Sequence, residues 1–575
     1  MSLDQTPINQ LITDNIDTWT STVKTKATTG RGSSKKLELY GVKKLRELIL
    51  ELAVRGKLVP QDPSDEPASV LLERIAAEKA KLVKAKKIKK QKSLGQVSKD
   101  EELFDTPTGW AWTRISEIAE ISPRNSTTDD DAEVSFVPMP LITTNYDGSH
   151  GSEKRIWKEI KKGYTHFQDG DIALAKITPC FENSKAAVFS GLEGGVGAGT
   201  TELHVARPLS DCINPLFVLL YLKAPIFLKV GETKMTGSAG QKRVPKDFFS
   251  ENPLPFPPSN EQHRIVAKVD ELMTLCDQLE QQTEASIEAH QVLVTTLLNT
   301  LTNSANAEEL MQNWARISEH FDTLFTTEES IDQLKQTILQ LAVMGKLVPQ
   351  DSTDAPASVL LKKIKAKKEQ LINDGILKKV KKAKVHESIL TDENIPYGWS
   401  AVDFGDITFN LDAKRVPLSV TERKGREGVY DYYGASGVID SIDDYLFDKP
   451  LLLIGEDGAN LVNRSTPIAF IARGKYWVNN HAHVIDGISE YFLTYLSLYI
   501  NSISLIPYIT GIAQPKMNQA KMNAILVLLP PENEQRRIIT KVDELMILCD
   551  QLKVRLKESQ KTQLHITDAI VEQAV

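Results

Sequence analysis

The stretch LAVRGKLVPQD, residues Leu52–Asp62, returns as LAVMGKLVPQD at Leu341–Asp351, an offset of 289 residues. The likeness extends well beyond these eleven residues. Leu52–Leu72 and Leu341–Leu361 agree at 17 of 21 positions. The same offset pairs Leu45 with Leu334, Ile49 with Ile338, and Pro107-Thr108-Gly109-Trp110 with Pro396-Tyr397-Gly398-Trp399. Downstream, NEQHRIVAKVDELMTLCDQL from Asn260 matches NEQRRIITKVDELMILCDQL from Asn533 at 16 of 20 positions, now at offset 273. Weaker echoes precede it at offset 274, among them Tyr221/Tyr495, Thr236/Thr510, Gly237/Gly511 and Ala239/Ala513; one extra residue at Gly240 restores 273 at Gln241/Gln514. Between Trp110 and Phe217 the offset falls by fifteen, and no alignment with residues 400–490 survives. The chain says frame, variable insert, frame, and then says it again. Solenoid repeats have periods of about 20–50 residues; this is duplication of a whole module.

At 575 residues the chain is too long for one core and predicts three or four structural units. Its 41% hydrophobic and 25% charged residues are ordinary for a globular protein, and a net charge of -7 excludes a uniformly basic nucleic-acid coat. Four cysteines include no C-x-x-C pair; Cys276 and Cys549 occupy matching apolar helical positions, which predicts buried free thiols. The opening MSLDQTPINQLITDN lacks the apolar core of a signal peptide, and the apolar run Tyr491–Ile509 is broken by Thr494, Ser497, Asn501, Ser502 and Ser504. No membrane span is expected, and a cytoplasmic location is.

The frames read as helical. Leu45, Ile49 and Leu52 share one face, as do Leu334, Ile338 and Leu341, and Gly56 and Gly345 are placed to end the two helices. After the VPQD turn a second helix opens at Ala68-Ser69 or Ala357-Ser358 and runs into lysine, eight in residues 79–92 and ten in 362–384. Such runs are commonly solvated faces; their recurrence beside both inserts makes phosphate contact an equal reading. After Pro257-Pro258 and Pro530-Pro531 come two long helices with heptad seams, Ile265, Val269, Leu272, Cys276 and Leu279, then Ile538, Val542, Leu545, Cys549, Leu552 and Leu556. An ordinary amphipathic helix gives the same stripe over one or two heptads. Two matching seams favour a pair that are each other's partner about a pseudo-twofold axis, and an antiparallel pair would send the inserts to opposite ends.

The inserts have the texture of mixed α/β domains: SFVPMPLITT, GDIALAKI, TELHVARP, DYLFDKPLLLIG, PIAFIARG and YWVNNHAHVID read as strands, and FVLLYL and YFLTYL as one apolar helix each. The expected fold is α+β, with two α/β domains joined by helical repeated regions that form an antiparallel coiled coil. The divisions are an arm at 1–40, a frame at 41–102, an insert at 103–258, a long helix and connector at 259–330, a second frame at 331–391, a second insert at 392–531 and a second long helix at 532–575. The arm has no counterpart before the second frame and is expected to be flexible or to pack late.

Catalytic signatures are missing. Gly56-Lys57, Gly345-Lys346 and Gly474-Lys475 are followed by Leu, Leu and Tyr, so none closes a P-loop. The glycine-rich GLEGGVGAGTT at 191–201 leads into a strand and not a helix, and no G-x-S-x-G elbow occurs. Neither Pro-Pro pair follows the Asp or Asn of an adenine methyltransferase motif. His481 and His483 alternate on one strand and offer at most two metal ligands, so packed strand histidines are the better reading. No catalytic, cofactor-binding or metal-binding residue is expected.

A duplicated helical frame with two dissimilar inserts, P-x-G-W leading into each and TG-x-A…Q and PP-x-NEQ leading out, resembles the specificity subunit of type I restriction–modification enzymes. The likeness covers the chain from about residue 41 and is carried by Leu52–Asp62 and Leu341–Asp351, Gly109-Trp110 and Gly398-Trp399, Gly170-Asp171, Thr236-Gly237 and Thr510-Gly511, and Asn260–Gln262 and Asn533–Gln535. The resemblance implies a non-catalytic subunit whose inserts are target-recognition domains, each reading half of a bipartite double-stranded DNA target. It implies that the coiled coil is the spacer and that the frames bind two methyltransferase subunits. Those partners would carry S-adenosylmethionine, and restriction subunits joining through the complex would bring ATP and Mg. The frame would be said twice because it docks two copies of one partner. A duplicated protein-binding adaptor accounts for the frames equally well but gives no reason for divergence confined to the inserts. A degenerate nuclease or methyltransferase suffers from the missing motifs.

Arginine and lysine suit guanine edges, asparagine and glutamine suit adenine. Candidate DNA contacts in the first insert are Asn145, Lys154, Arg155, Lys158, Lys161 and Lys162, and in the second Lys414, Arg415, Arg423, Lys424, Arg426 and Arg464. Each alone is an ordinary surface charge more often than a base reader. The repeated loop residues Gln241, Lys242 and Arg243, with Gln514 and Lys516, are stronger candidates, for phosphate positioning. TG-SAGQKR and TG-IAQPKM differ by one residue, which predicts loops of different geometry.

Overall fold

A computed structural model describes residues 7–26, 36–90, 94–126, 128–238, 240–378, 395–511 and 514–575. The ends of both lysine runs, the middle of the arm and the alanines of both TG-x-A loops lie outside the described residues. The chain divides into two compact units, residues 1–286 with 559–575, and residues 287–558.

In the first unit the frame helix Tyr40–Val54 buries Leu45, Leu48, Ile49 and Leu52. It stops at Gly56, whose φ of +69° no side chain adopts readily, with Lys57 N–H returning to the Leu52 carbonyl at 2.9 Å. A Cβ there would also meet Pro107 Cγ at 2.5 Å and the Trp110 ring at 2.8 Å. Gly345 ends Glu328–Val343 in the same way, φ +69°, against Pro396 and Trp399. The repeated glycine therefore stops the helix and makes room for the P-x-G-W turn. The repeated lysine after it has its own task. Lys57 Nζ donates to the Val575 carbonyl at 2.6 Å, and Lys346 Nζ to the Thr302 and Ser304 carbonyls at 2.8 and 2.9 Å. Each thus neutralises the carbonyl-rich end of a long helix.

Those long helices are Ser259–Asn303 and Glu532–Ala574. The first unit contains the opening of one and the end of the other, the second unit the reverse, which is the exchange an antiparallel pair produces. Each seam is buried in the core of its own unit. Ile265, Val269, Leu272, Cys276 and Leu279 are buried in the core that holds Leu45, Leu48 and Ile49. Ile538, Val542 and Cys549 are buried with Leu334, Ile338 and Leu341, and Leu545, Leu552 and Leu556 pack at the margin. Each seam thus shares a core with the frame helix of its own unit, and ion pairs join the two. Arg46 bridges to Asp277 at 2.7 Å and Glu280 at 2.5 Å, and Lys335 and Lys553 pair with Asp550 and Asp332. A heptad stripe is satisfied by any helix with a matching stripe, and the frame helix supplies one. Both cysteines are free and buried, and burial pushes the Cys276 thiol up to about 12.

The described part of the arm is packed. Helices Ile8–Asp14 and Ile16–Ser21 pack into the first unit, Trp19 is buried, and Gly41 lies so close that a Cβ would meet the Trp19 carbonyl at 2.3 Å. Thr22 Oγ1 meets Thr567 Oγ1 at 3.0 Å. A tryptophan buries some 150–250 Å², which is ample to fix a short segment.

The inserts read as strands do form strands, and the two share a topology that their sequences conceal. In each, the first and last strands pair antiparallel, Ala111–Arg114 with Pro253–Phe256 and Ser400–Asp403 with Leu526–Leu529. The first insert has an antiparallel sheet in the order Ala119–Ile121, Leu203–Pro208, Ile172–Ala175, Ala186–Val188. The second repeats it with Phe409–Asn410, Ala482–Asp486, Leu451–Gly455, Ala469–Ala472. A further sheet contains one parallel pair in each insert, Glu133–Val137 with Val196–Gly199 and Glu427–Gly434 with Tyr476–Val478. The apolar helices are Pro215–Lys223 and Glu490–Ser502. Only the fold has survived duplication here.

Candidate nucleic-acid interface

The NEQ motif joins each insert to its frame. Arg264 donates to Asp65 and Arg537 to Asp354, both at 2.6 Å, while Asn260 and Asn533 reach the same carboxylates at 3.2 and 3.1 Å. Gln262 and Gln535 donate to the Pro257 and Pro530 carbonyls at 3.0 and 2.9 Å. The buried Glu261 accepts from Gln61 at 2.8 Å, and the buried Glu534 from Trp399 Nε1 at 2.9 Å. The Asn, Arg and Gln bonds thus recur in both knots, whereas the buried glutamate is met by a VPQD residue in the first and by a P-x-G-W residue in the second. Lys79 and Lys368, the inward members of the lysine runs, add an anchor to the helices Ile115–Ile118 and Phe404–Ile407: Lys79 donates to the Ser116 carbonyl at 2.7 Å, and Lys368 to that of Gly405.

Beyond this knot, the TG loops are held by an identical set of backbone bonds. Thr236 and Arg243 exchange N–H···O bonds at 3.0 and 2.8 Å, as Thr510 and Lys516 do at 2.8 Å each. Val244 N–H donates to the Lys176 carbonyl and Met517 N–H to that of Glu456, both at 2.8 Å. Lys176 N–H reaches Glu202 at 2.9 Å and Glu456 N–H reaches His481 at 2.8 Å. A Cβ on Gly237 would meet the Gln241 carbonyl at 2.9 Å, and one on Gly511 the Gln514 carbonyl at 2.6 Å, so glycine is required where each loop turns. The loops do differ in length, as the sequence predicts, yet their anchoring register is the same. The extra residue is absorbed at the turn, where Gly240 has φ +77°.

On this shared backbone the charges change places. Lys176, Glu202 and Arg243 occupy the positions of Glu456, His481 and Lys516. Arg243 binds Glu202 through two bonds at 2.9 and 2.8 Å, and this holds the Glu202 carboxyl below its usual range. Lys516 instead pairs with Glu456 at 3.2 Å. Burial pushes Glu456 up, but Arg415 at 2.8 Å, His483 and Lys516 together hold it low. Equivalent positions thus present different donor and acceptor patterns.

Inside each patch lies a histidine. His204 Nε2 donates to the Val244 carbonyl at 3.0 Å, and His483 Nε2 to the Met517 carbonyl at 2.9 Å. The His483 ring also meets Asp412 through Nδ1 at 2.7 Å, so both nitrogens face acceptors, an arrangement that favours the doubly protonated ring. Neither histidine, nor Glu202, Glu456 or Asp412, stood out as a loop partner in the sequence. The available signal was the short match Leu203-His204-Val205 with Ala482-His483-Val484, at offset 279. Among the described residues no group of three or more His, Cys, Asp or Glu is placed to hold a metal.

The remaining candidates fall into two sets. Arg464 caps the helix Glu490–Ser502 through the Asn501 carbonyl at 3.0 Å and that of Ile503, and Arg415 is tied to Glu456 and the Ala482 carbonyl at 2.8 Å each. Arg423 binds Asp440 at 2.8 Å over the Tyr432 ring, Arg426 binds Asp443 at 2.9 Å over Trp477, and Lys161 binds Asp130 at 2.6 Å. Asn145 closes its own turn on Ser149 at 3.3 Å. These side chains hold the inserts together. Lys154 and Arg155 make exposed pairs with Glu193 and Glu153, which a phosphate can displace at little cost. Gln241, Lys242, Gln514, Lys158, Lys162, Lys414 and Lys424 are exposed.

The two histidines should contribute to stability with opposite pH dependence. Burial lowers the His204 pKa despite its bond to Val244; at His483 burial also lowers it, but the Asp412 bond and charge, with Glu456, raise it overall. A depressed His204 costs stability as pH falls below about 6.5, whereas the His483 contribution is complete below that value and fades as pH rises through its folded pKa. By calorimetry of the full chain, His204→Gln should lose less stability than the unmodified protein between about pH 7 and 5.5. His483→Gln should be more destabilised near pH 6 than near pH 9. Parallel curves for all three proteins would contradict these assignments.

A family model described as "Type I restriction modification DNA specificity domain" matches residues 107–289 and 396–559. The chain is 51% identical over 594 residues to the type I restriction enzyme EcoAI specificity subunit of Escherichia coli, covering 99% of this chain and 100% of that one. It is 50% identical over 598 residues to the EcoEI specificity subunit of the same species, with equal coverage. Among solved structures, the HsdS subunit from Thermoanaerobacter tengcongensis aligns at 17% identity over 82% of this chain and 98% of that chain, with a TM-score of 0.43. A chain from a structure on complex assembly and conformational transition of the type I R-M system aligns at 16% identity and the same coverage, with a TM-score of 0.47.

Proposed function

The chain belongs to the type I restriction–modification DNA specificity family, and we propose that it reads a split double-stranded DNA target, one half per insert, while its two frames dock two copies of one methyltransferase. It is a specificity subunit, the DNA-recognition part of such a complex and not the catalytic part. S-adenosylmethionine, ATP and Mg belong to the partners in this reading, and restriction subunits join through the assembled complex. No helix among the described residues is long and apolar enough to cross a membrane.

The observation that carries the docking proposal is the set of exposed residues kept in both frames. Pro60, Ser69, Val70 and Ala77 are exposed, and so are their identical counterparts Pro349, Ser358, Val359 and Ala366. Buried frame residues such as Leu71 and Leu360 are held by the core. An exposed valine, 44% accessible at Val70 and 39% at Val359, has no such constraint within the chain. One partner surface used twice supplies it. On the DNA side, the exposed lysines and loop glutamines position the backbone, and the exchanged patch beneath the loops meets base edges.

Native mass spectrometry of the chain assembled with its operon's methyltransferase should give two methyltransferase copies per chain. Val70→Glu and Val359→Glu should each leave one copy, and the double variant none, because an unpaired charge buried at an interface costs several kcal/mol, of order 3–5. A single copy with the unmodified chain, or two copies with the double variant, would refute the docking assignment.

A further inference from the structure

We infer that His204 and His483 are one positioning residue present twice, a latch that sets the DNA-facing TG loop of each insert. The inference rests on the recognition role proposed above and concerns how that role is held in place.

Each histidine sits on the central strand neighbouring the loop's anchor, Leu203–Pro208 in one insert and Ala482–Asp486 in the other. Each closes on the carbonyl one residue beyond the loop cation, Val244 after Arg243 and Met517 after Lys516. The loop's return segment is therefore held on two sides. Its N–H groups and carbonyls pair with Lys176–Thr178 or Glu456–Gly458 along one edge, and the imidazole takes the next carbonyl from within. Both rings are almost wholly buried, at 8% and 1% exposure, so neither contacts DNA directly.

The surroundings of the two latches differ while the latch bond does not. His204 stacks on Phe249, with ring centroids 5.4 Å apart, and His483 is braced by Asp412 and lies 3.8 Å from Glu456. Almost every other side chain on this patch has changed between the inserts. Packing alone would accept other buried side chains in two such different settings. A donor aimed at one particular carbonyl is the shared requirement. By fixing that carbonyl, the ring fixes the direction in which Arg243 and Gln241, or Lys516 and Gln514, leave the surface.

The test uses the full chain in its methyltransferase complex, with His204→Phe, His204→Gln, His483→Phe and His483→Gln. Phenylalanine keeps the ring volume without the donor, and glutamine places an amide N–H near the position of Nε2. Methylation rates are compared on duplexes carrying one base-pair change in the first or the second half of the target. His204→Phe should reduce discrimination at one half by about tenfold and leave the other unchanged, and His483→Phe should do the converse, an effect on the scale of one lost buried hydrogen bond. Glutamine should restore most of it. In the DNA-free complex, exchange of the Thr236 and Arg243 amides should accelerate in His204→Phe, with strand Ile172–Ala175 unaffected. Unchanged discrimination with the phenylalanine variants, or equal loss at both halves, would overturn the latch. An unmodified complex indifferent to both halves would overturn the recognition reading, and the latch with it.

Discussion

Exchanging residues 111–256 for the insert of a related specificity subunit should change one half of the methylated target completely and leave the other half as it was. The expectation follows from the way each insert is mounted. Its first and last strands pair with one another, Ala111–Arg114 with Pro253–Phe256, so a swap cut at these points carries a closed sheet. The knot of Asp65, Arg264, Gln61 and Glu261 lies outside the exchanged segment and stays whole. The second insert keeps its own knot through Asp354 and Arg537. Specific and non-specific binding differ by roughly 10³–10⁷ in such proteins, so methylation at the original site should fall by at least about three orders of magnitude. Methylome sequencing reads the outcome. A target altered in both halves would mean that the inserts are not independent readers.

The second large effect concerns spacing. Both long helices run unbroken from one unit into the other, past residues 286/287 and 558/559. Four residues inserted at both points lengthen each helix by roughly 6 Å and rotate it by about 400°, little more than one turn. Facing is nearly kept, and the added length approximates two base pairs at roughly 3.4 Å each. The modified target should retain both half-sequences and gain one or two unspecified base pairs between them. Two-residue insertions, with about 200° of rotation, should abolish methylation. Insertion must be made in both helices, because the seams to Leu279 and Leu556 are already committed to the cores of their own units. Methylation at the original spacing after the four-residue change would show that the helices do not set it.

Much of this architecture was legible because frame residues do two jobs at once. Gly56 and Gly345 must turn and also admit a proline and a tryptophan ring, so little else fits, and repetition exposes them. No local pattern ties Lys57 or Lys346 to the carbonyls they meet, which lie 518 residues away at Val575 and 44 away at Thr302. The same blindness affected the candidate contacts. Arg464 reads as a loop cation, and only the fold shows that it caps a helix ending near Asn501. The shared topology of the inserts was hidden because a sheet demands apolar alternation and not particular residues, so IALA and LLLIG align by position alone. The frame helix's share in each seam was hidden because periodicity identifies a stripe without naming everything that covers it. Trp19 was lost in the arm because its partner, Gly41, carries no pattern of its own.

Sequencing DNA methylation in cells that express this chain with its operon's methyltransferase and no other tests whether one chain reads two separate half-targets on a fixed frame. The expected result is a single split motif, two defined halves separated by a constant number of unspecified base pairs, vanishing when this chain is deleted. A continuous motif, a variable gap, or methylation that persists without the chain would contradict it.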